Sequence, residues 1–305
     1  MVASNLRVDW ATAEVLRAFE REGIRSLLLK GATFARWLYH NSAPRAYADC
    51  DLLVRPGDHA RAERALAELG FEPTHDENEM PDWWHEHAVA WLRHSDAAVV
   101  DLHRTLDGVG VDAATLWQTL SSEAEPVAVA DYEASALAIP GRAFHLALHA
   151  AQHGEQWGAV VDEVELAAKR EDISTWRAAA ALARTLDAEA AFATGLRLAP
   201  SGRGIADELD LSPEQPVGVA LRARTPPPVA LGLDQLSRAD SLRTRFAILR
   251  HKFFPPPTFM RKWSPRAAES RRALVWAYVR RPIWLLRKAP AGFRAWRRAR
   301  RPQRW

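Results

Sequence analysis

Two short apolar runs limit what this chain can become. Residues 24–31 read IRSLLLKG and residues 50–54 read CDLLV. Each is shorter than a helix needs, rich in branched aliphatic side chains, and bounded by glycine, proline or charge, which predicts buried strands. Helical patterns flank them. Over 9–22, Ala11, Val15, Leu16 and Phe19 recur at helical spacing, with Asp9 the expected N-cap and Gly23 the stop. A second helix is expected over 32–40, followed by a loop, NSAPR. A third starts at Pro56-Gly57-Asp58, carries Ala62, Ala65, Leu66 and Leu69 on one face, and stops at Gly70.

Further on, HAVAWLRH and AAVVDLH predict two strands around a Ser95-Asp96 turn, preceded by a polar and aromatic loop, HDENEMPDWWHEH. From about 112 the chain turns alanine-rich, and RAFHLALHAAQHG, GAVVDEVELAAKR and TWRAAAALARTLDAEAAFATGLRLA all predict helices. Residues 200–240 hold turn signals and the run Pro226-Pro227-Pro228. No repeat of fixed period is present. The expected plan is α+β: a mixed sheet with flanking helices over 1–110, a helical domain over 111–240, and a basic Trp/Arg-rich arm over 241–305.

Charge separates that arm from the rest. The 305 residues carry a net +3, yet 19 of the 41 Lys and Arg lie in 241–305 beside one acid, Glu269. The arm is therefore +18 and the preceding 240 residues −15. An acidic body with a basic arm suits an anionic partner or membrane surface. The N-terminal stretch has no apolar segment of the secretory kind, and no apolar run approaches the ~20 residues that span a bilayer. One cysteine, Cys50, excludes an internal disulfide and fits a reducing compartment.

The run RAYADCDLLV at 45–54 sets Asp49 and Asp51 two positions apart at the mouth of a strand. On a strand that spacing puts both carboxylates on one face, where they repel unless one is protonated or a cation lies between them. Mg2+ takes oxygen ligands of this kind together with substrate phosphates, and two ions can clamp the attacking and leaving oxygens of a phosphoryl displacement. Asp101, in AAVVDLH, is the best third acid. The plain alternative is that Asp49 caps a turn and Asp51 faces solvent.

These residues carry a resemblance. LLLKGATFARWLY, RAYADCDLLVRPGDHARAERALAELGFEP and VVDLHRTL resemble the uncharacterised nucleotidyltransferase family of bacterial proteins, within the polymerase-beta-like superfamily. The matching positions are Lys30-Gly31, Arg45, Asp49-Cys50-Asp51, Leu69-Gly70-Phe71 and Asp101-Leu102-His103. The resemblance implies a nucleotidyltransferase fold, a metal triad of Asp49, Asp51 and Asp101 holding one or two Mg2+, and transfer of a nucleotidyl group from an NTP. It sets Lys30, Gly31, Arg45 and His103 beside the nucleotide. One departure is Ala32, where the wider superfamily has a serine or glycine after its glycine. Each of these positions also has a plain reading: a tight turn at Gly31, a loop arginine at 45, a packed histidine at 103.

His145, His149 and His153 recur every four residues on one helix face, and packing is favoured over metal ligation because no His-Glu-x-x-His pattern is present. For the arm, docking by packing and charge ranks first, an anionic membrane second and nucleic acid third. The expected activity is Mg2+-dependent nucleotidyl transfer to an acceptor that is a small molecule, peptide or protein, in the cytoplasm or at the inner face of the membrane. The alternative is a catalytically silent nucleotide- or partner-binding accessory protein of a biosynthetic or cell-surface pathway.

Overall fold

The computed structural model describes residues 2–39, 45–74, 87–224 and 226–301. Most of the expected loops at 41–45 and 75–87, with His75 and His85, lie outside the described residues. Two compact units emerge: one from residues up to 74, 87–152 and 157–212, the other from 153–156 and 213 onward.

The first unit begins with α1 (Val2–Arg21), β1 (Ser26–Leu28), α2 (Ala32–Leu38) and β2 (Cys50–Val54). Then come α3 (His59–Glu68), β3 (Glu72–Pro73), β4 (Ala88–Arg93), β5 (Ala98–His103), α4 (Ala113–Ser121), β6 (Glu125–Val129) and β7 (Tyr132–Ala136). Five helices follow: α5 (Ile139–His153), α6 (Gly158–Arg170), α7 (Ile173–Thr185), α8 (Glu189–Arg197) and α9 (Pro200–Glu208). The seven strands form one sheet in the order β3-β4-β5-β2-β1-β7-β6. β2 runs parallel to β5 and β1 parallel to β7; the other neighbours are antiparallel. This is the α+β architecture expected, with a mixed sheet and flanking helices.

Every residue of β2 is buried, which explains its unbroken CDLLV: a central strand covered on both faces has no solvent face to make polar. Val15 and Phe19 of α1 join Leu28, Leu52, Val54, Leu66, Phe71, Val100 and Leu102 in one core. Each such side chain contributes roughly 1.5–3 kcal/mol through burial. Cys50 lies inside this core, and burial pushes its thiol up, so it is an unreactive packing residue.

Two expectations differ from the fold. The first helix begins at Val2, so Asp9 is inside it rather than at its cap. Its carboxylate instead accepts a hydrogen bond of 2.6 Å from Tyr47 Oη. Asn5, one turn earlier, donates to Arg45 O at 2.6 Å and accepts from Tyr47 N at 3.3 Å. The polar residues of that turn tie down the strand approach and do not mark a helix start. The second difference is the β6–β7 hairpin, in a stretch read as helical. Its exposed positions alternate with buried or half-buried ones, and Ala130 takes φ +50° at the turn between the strands.

The second unit holds α10 (Val217–Ala223), α11 (Ala230–Arg238), α12 (Leu242–Phe253), α13 (Pro257–Trp263) and α14 (Arg271–Ala299). Ala220, Leu221, Ala230 and Ala299 form one small core, and Met260, Ala267 and Ala277 another. Arg281 is buried beneath the rings of Phe259 and Trp263, 4.7 and 5.2 Å from their centroids, and donates to Lys252 O at 2.8 Å. None of the described helices is long and apolar enough to cross a membrane.

Candidate active site

Strand pairing fixes the acidic residues. The parallel register of β2 and β5 sets Asp51 beside Asp101, so their side chains emerge on the same face of neighbouring strands. His103 follows two positions after Asp101 and reaches the same place. Ligand atoms of Asp51, Asp101 and His103 all lie within 4.8 Å of one another. Asp49 precedes the strand, half-buried, near enough for its charge to act on Asp51. The histidine, rather than Asp49, completes the convergent set.

Asp51 is the hub. Its Oδ1 meets both Lys30 Nζ and His103 Nε2 at 3.1 Å, and Leu29 N, just past the end of β1, donates to Asp51 O at 3.0 Å. Burial alone would raise its pKa; Lys30 and His103 outweigh that and hold the carboxyl below the usual range. Asp101 goes the other way. Burial first, and then the charge of Asp51, push it up to about 6. Asp49 is raised by the same two causes. Lys30 is raised: burial opposes its charge, and Asp51, Asp49 and Asp101 together override that.

Two atoms of this cluster are left over. Asp51 Oδ2 is buried with no hydrogen-bond partner among the described residues, and so is His103 Nδ1. A buried carboxylate oxygen without a donor costs about 1–3 kcal/mol or more, unless a cation satisfies it. Two carboxylates and one imidazole with ligand atoms within 4.8 Å of one another form a donor set that fits a divalent metal. The carboxylates suit Mg2+, and the imidazole widens the choice toward Mn2+ or Zn2+.

The other expected residues are placed as follows. Lys30 and Gly31 form the turn between β1 and α2, and Gly31 takes φ +75° there. Arg45 is committed to Glu163 of α6, its Nε 2.5 Å from Oε1, and lies 5.7 Å from the centroid of Phe34. Tyr39 donates to the same carboxylate at 3.4 Å. Sequence reasoning does not pair Glu163 with Arg45. The available signal was its place on the stripe Val160, Glu163, Val164, Ala167, where an acid on a buried face demands a partner.

His145 and His149, on α5, are buried, 6.2 Å apart between ring centroids. His145 packs against Phe34 at 6.0 Å. Burial first, and then the charges of His103 and Lys30, push it down to about 3, so it stays neutral at the edge of the site. His103 stacks at a tilt on His87, 5.7 Å away, and His87 Nε2 meets Gln152 Nε2 at 3.1 Å. A cavity of about 440 Å3 opens elsewhere, near Phe19, Arg25, Trp117 and Tyr132, and includes none of the three aspartates.

Comparison with known proteins adds the following. A family model described as an uncharacterised nucleotidyltransferase matches residues 1–201. No curated protein matches. Among solved structures, the antibiotic-resistance factor ANT(2'')-Ia is similar at 12% identity and a TM-score of 0.38, over 56% of this chain and 88% of that one. An antigenic nucleotidyltransferase-like protein from Paracoccidioides brasiliensis is similar at 12% identity and a TM-score of 0.36, over 60% of this chain and 93% of that one.

Proposed function

The chain belongs to the uncharacterised nucleotidyltransferase family, and from that premise we propose that it transfers a nucleotidyl group from an NTP to an acceptor hydroxyl or phosphate, using a divalent metal held by Asp49, Asp51 and Asp101. The observation that carries this reading is the pairing of Asp51 with Asp101 in register, together with an Asp51 carboxylate oxygen that no described residue satisfies. His103, in the convergent set, is a fourth candidate ligand. When bound, Mg2+ would offset the charge of the triphosphate and orient it for in-line displacement.

The protein's own groups divide the remaining work. Two carboxyls whose environments push their pKa values apart assign an acid–base pair. Asp51, held ionised, is the fixed negative charge. Asp101, pushed up to about 6 by burial and Asp51 in the metal-free site, has one carboxylate oxygen for the metal and a second to accept the acceptor's proton. In this scheme the acceptor oxygen bonds to the α-phosphorus, its proton passes to Asp101, and the bond to the bridging oxygen breaks to release pyrophosphate. Lys30 contributes a positive charge that can be shared between Asp51 and a phosphate. Arg45, tied to Glu163, sets a positive charge near enough to Asp49 to favour its ionised form. The reading places the protein in the cytoplasm, where NTPs are available.

The test is turnover. The protein, Asp51→Asn and Asp101→Asn are each incubated with the four NTPs and Mg2+ or Mn2+, with mass-spectrometric detection of pyrophosphate and modified acceptors. Loss of turnover by at least 10²-fold with unchanged folding is expected; equal turnover in all three proteins refutes the assignment. A second reading, silent nucleotide binding, draws support from Asp51 being already neutralised by Lys30 at 3.1 Å. Calorimetric binding of NTP without any product would favour it.

A further inference from the structure

Within the second unit, α14 has one face spent on packing and another that is exposed among the described residues. Leu274, Ala277, Tyr278, Arg281, Gly292 and Ala299 turn inward, toward the small cores and the close approach to α11. On the other side Val275 is 64% exposed, Trp276 61%, Val279 49%, Ile283 52%, Leu286 65% and Phe293 47%. At 100° per residue these six fall in a sector of about 100° roughly opposite the packed face. An apolar stripe over five turns is costly to leave in water, and evenly exposed large side chains on one helix face mark an interaction surface.

The charge pattern selects the occupant. Arg280, Arg287 and Arg298 are exposed and line one edge of the stripe, while Arg272 and Arg297 stand at its two ends. No acid occurs anywhere in α14. A second copy of the chain would bring these arginines against one another inside an arm of net +18. A nucleic acid would meet mostly aliphatic side chains, which offer no stacking surface beyond Trp276 and Phe293. A helix with an apolar stripe, an arginine edge and tryptophan is suited to lie in the headgroup layer of a bilayer carrying negative lipids.

We infer that α14 is a peripheral membrane anchor: its Val275–Phe293 stripe inserts into the interfacial layer of an anionic bilayer while Arg280, Arg287 and Arg298 bind lipid phosphates. The same geometry lays the helix along the surface and does not carry it through. α12 repeats the pattern on a smaller scale, with Leu242, Phe246 and Leu249 exposed at helical spacing and Arg243 and Arg250 beside them. Attachment of this kind is independent of nucleotide chemistry, so it stands or falls apart from the proposed function.

The experiment is vesicle flotation of the full chain. It uses phosphatidylcholine vesicles with and without about a third phosphatidylglycerol, at low and high salt. Binding is expected only to the anionic vesicles and is expected to weaken with salt. Ile283→Glu with Leu286→Glu should abolish it. Arg280→Gln with Arg287→Gln and Arg298→Gln should lower the partition coefficient by about two orders of magnitude, at ~1 kcal/mol per charge. All five positions are exposed, and circular dichroism with light scattering monitors folding and mass. No flotation of the unaltered chain, or equal flotation of the glutamate variant, overturns the inference. So does an unaltered chain that is dimeric and becomes monomeric on the same substitutions, or one that prefers single-stranded RNA to anionic vesicles in direct competition.

Discussion

Asp101→Asn should make the metal-free protein more stable, and the size of the gain follows from the site. The carboxyl is held near 6 in the fold against 3.8 for an ordinary aspartate, by burial and by Asp51. Between those values the folded state binds a proton that the unfolded chain has released. Stability therefore falls as pH rises from about 4 to 6, and the full penalty persists above 6. That difference corresponds to up to about 3 kcal/mol, and to about half of it once partial solvent access is allowed for. Asparagine removes the charge while keeping the shape. In the presence of a chelator at pH 7.5, the variant should gain about 1–3 kcal/mol, read from native-state amide exchange of β2 and β5, which isolates the unit that contains the site. At pH 4 the gain should vanish, because the wild-type carboxyl is protonated there. Adding Mg2+ should reverse the order by stabilising the wild type more than the variant. A variant less stable than wild type by the same amount at both pH values would refute the reasoning, since it would mean that Asp101 makes favourable contacts independent of its charge.

Arg45→Ala should cost about 3–5 kcal/mol, because it strands the buried Glu163 carboxylate; Arg45→Ala with Glu163→Gln should recover most of that in the same exchange measurement. Gly31→Ala should cost about 1–3 kcal/mol through backbone strain, since φ +75° disfavours a side chain while the added carbon meets Asp49 O only at 3.5 Å; urea titration of the first unit's fluorescence checks it. Gly292→Ala should loosen the second unit: its added carbon would stand 2.8 Å from Val229 Cβ and 3.1 Å from Ala230 N, so an overpacking cost of about 1–3 kcal/mol is expected in thermal unfolding, with turnover unaffected.

The convergence of Asp51 with Asp101 at the candidate site is legible in the sequence because strand periodicity carries it. Asp51 and Asp101 each end or interrupt an apolar strand run, and a parallel register is enough to bring them together. What escaped reading depends on pairings distant in sequence. Glu163 is 118 residues from Arg45, and nothing local to either names the other. Lys30 was expected to serve phosphate, yet its 3.1 Å contact with Asp51 arises from β1 lying antiparallel to β2, a relation that no spacing encodes. The β6–β7 hairpin was obscured by its alanines and glutamates, which lower strand propensity although burial alternates along it. α14 lies in the stretch read as a basic Trp/Arg-rich arm, where two prolines and many arginines hide the helical pattern. The helix continues through Pro282 and Pro290 because its inward face packs on α10, α11 and α13.

The central claim is that the unsatisfied oxygen of Asp51 belongs to a metal site shared with its acidic neighbours. Anomalous diffraction from a crystal soaked in Mn2+ with a non-hydrolysable NTP tests it most directly. The account predicts a peak at about 2.1–2.2 Å from Asp51 Oδ2 and from a carboxylate oxygen of Asp101, with the triphosphate bridging it. Bound nucleotide with no peak at that position, and Lys30 still in place against Asp51, would contradict it.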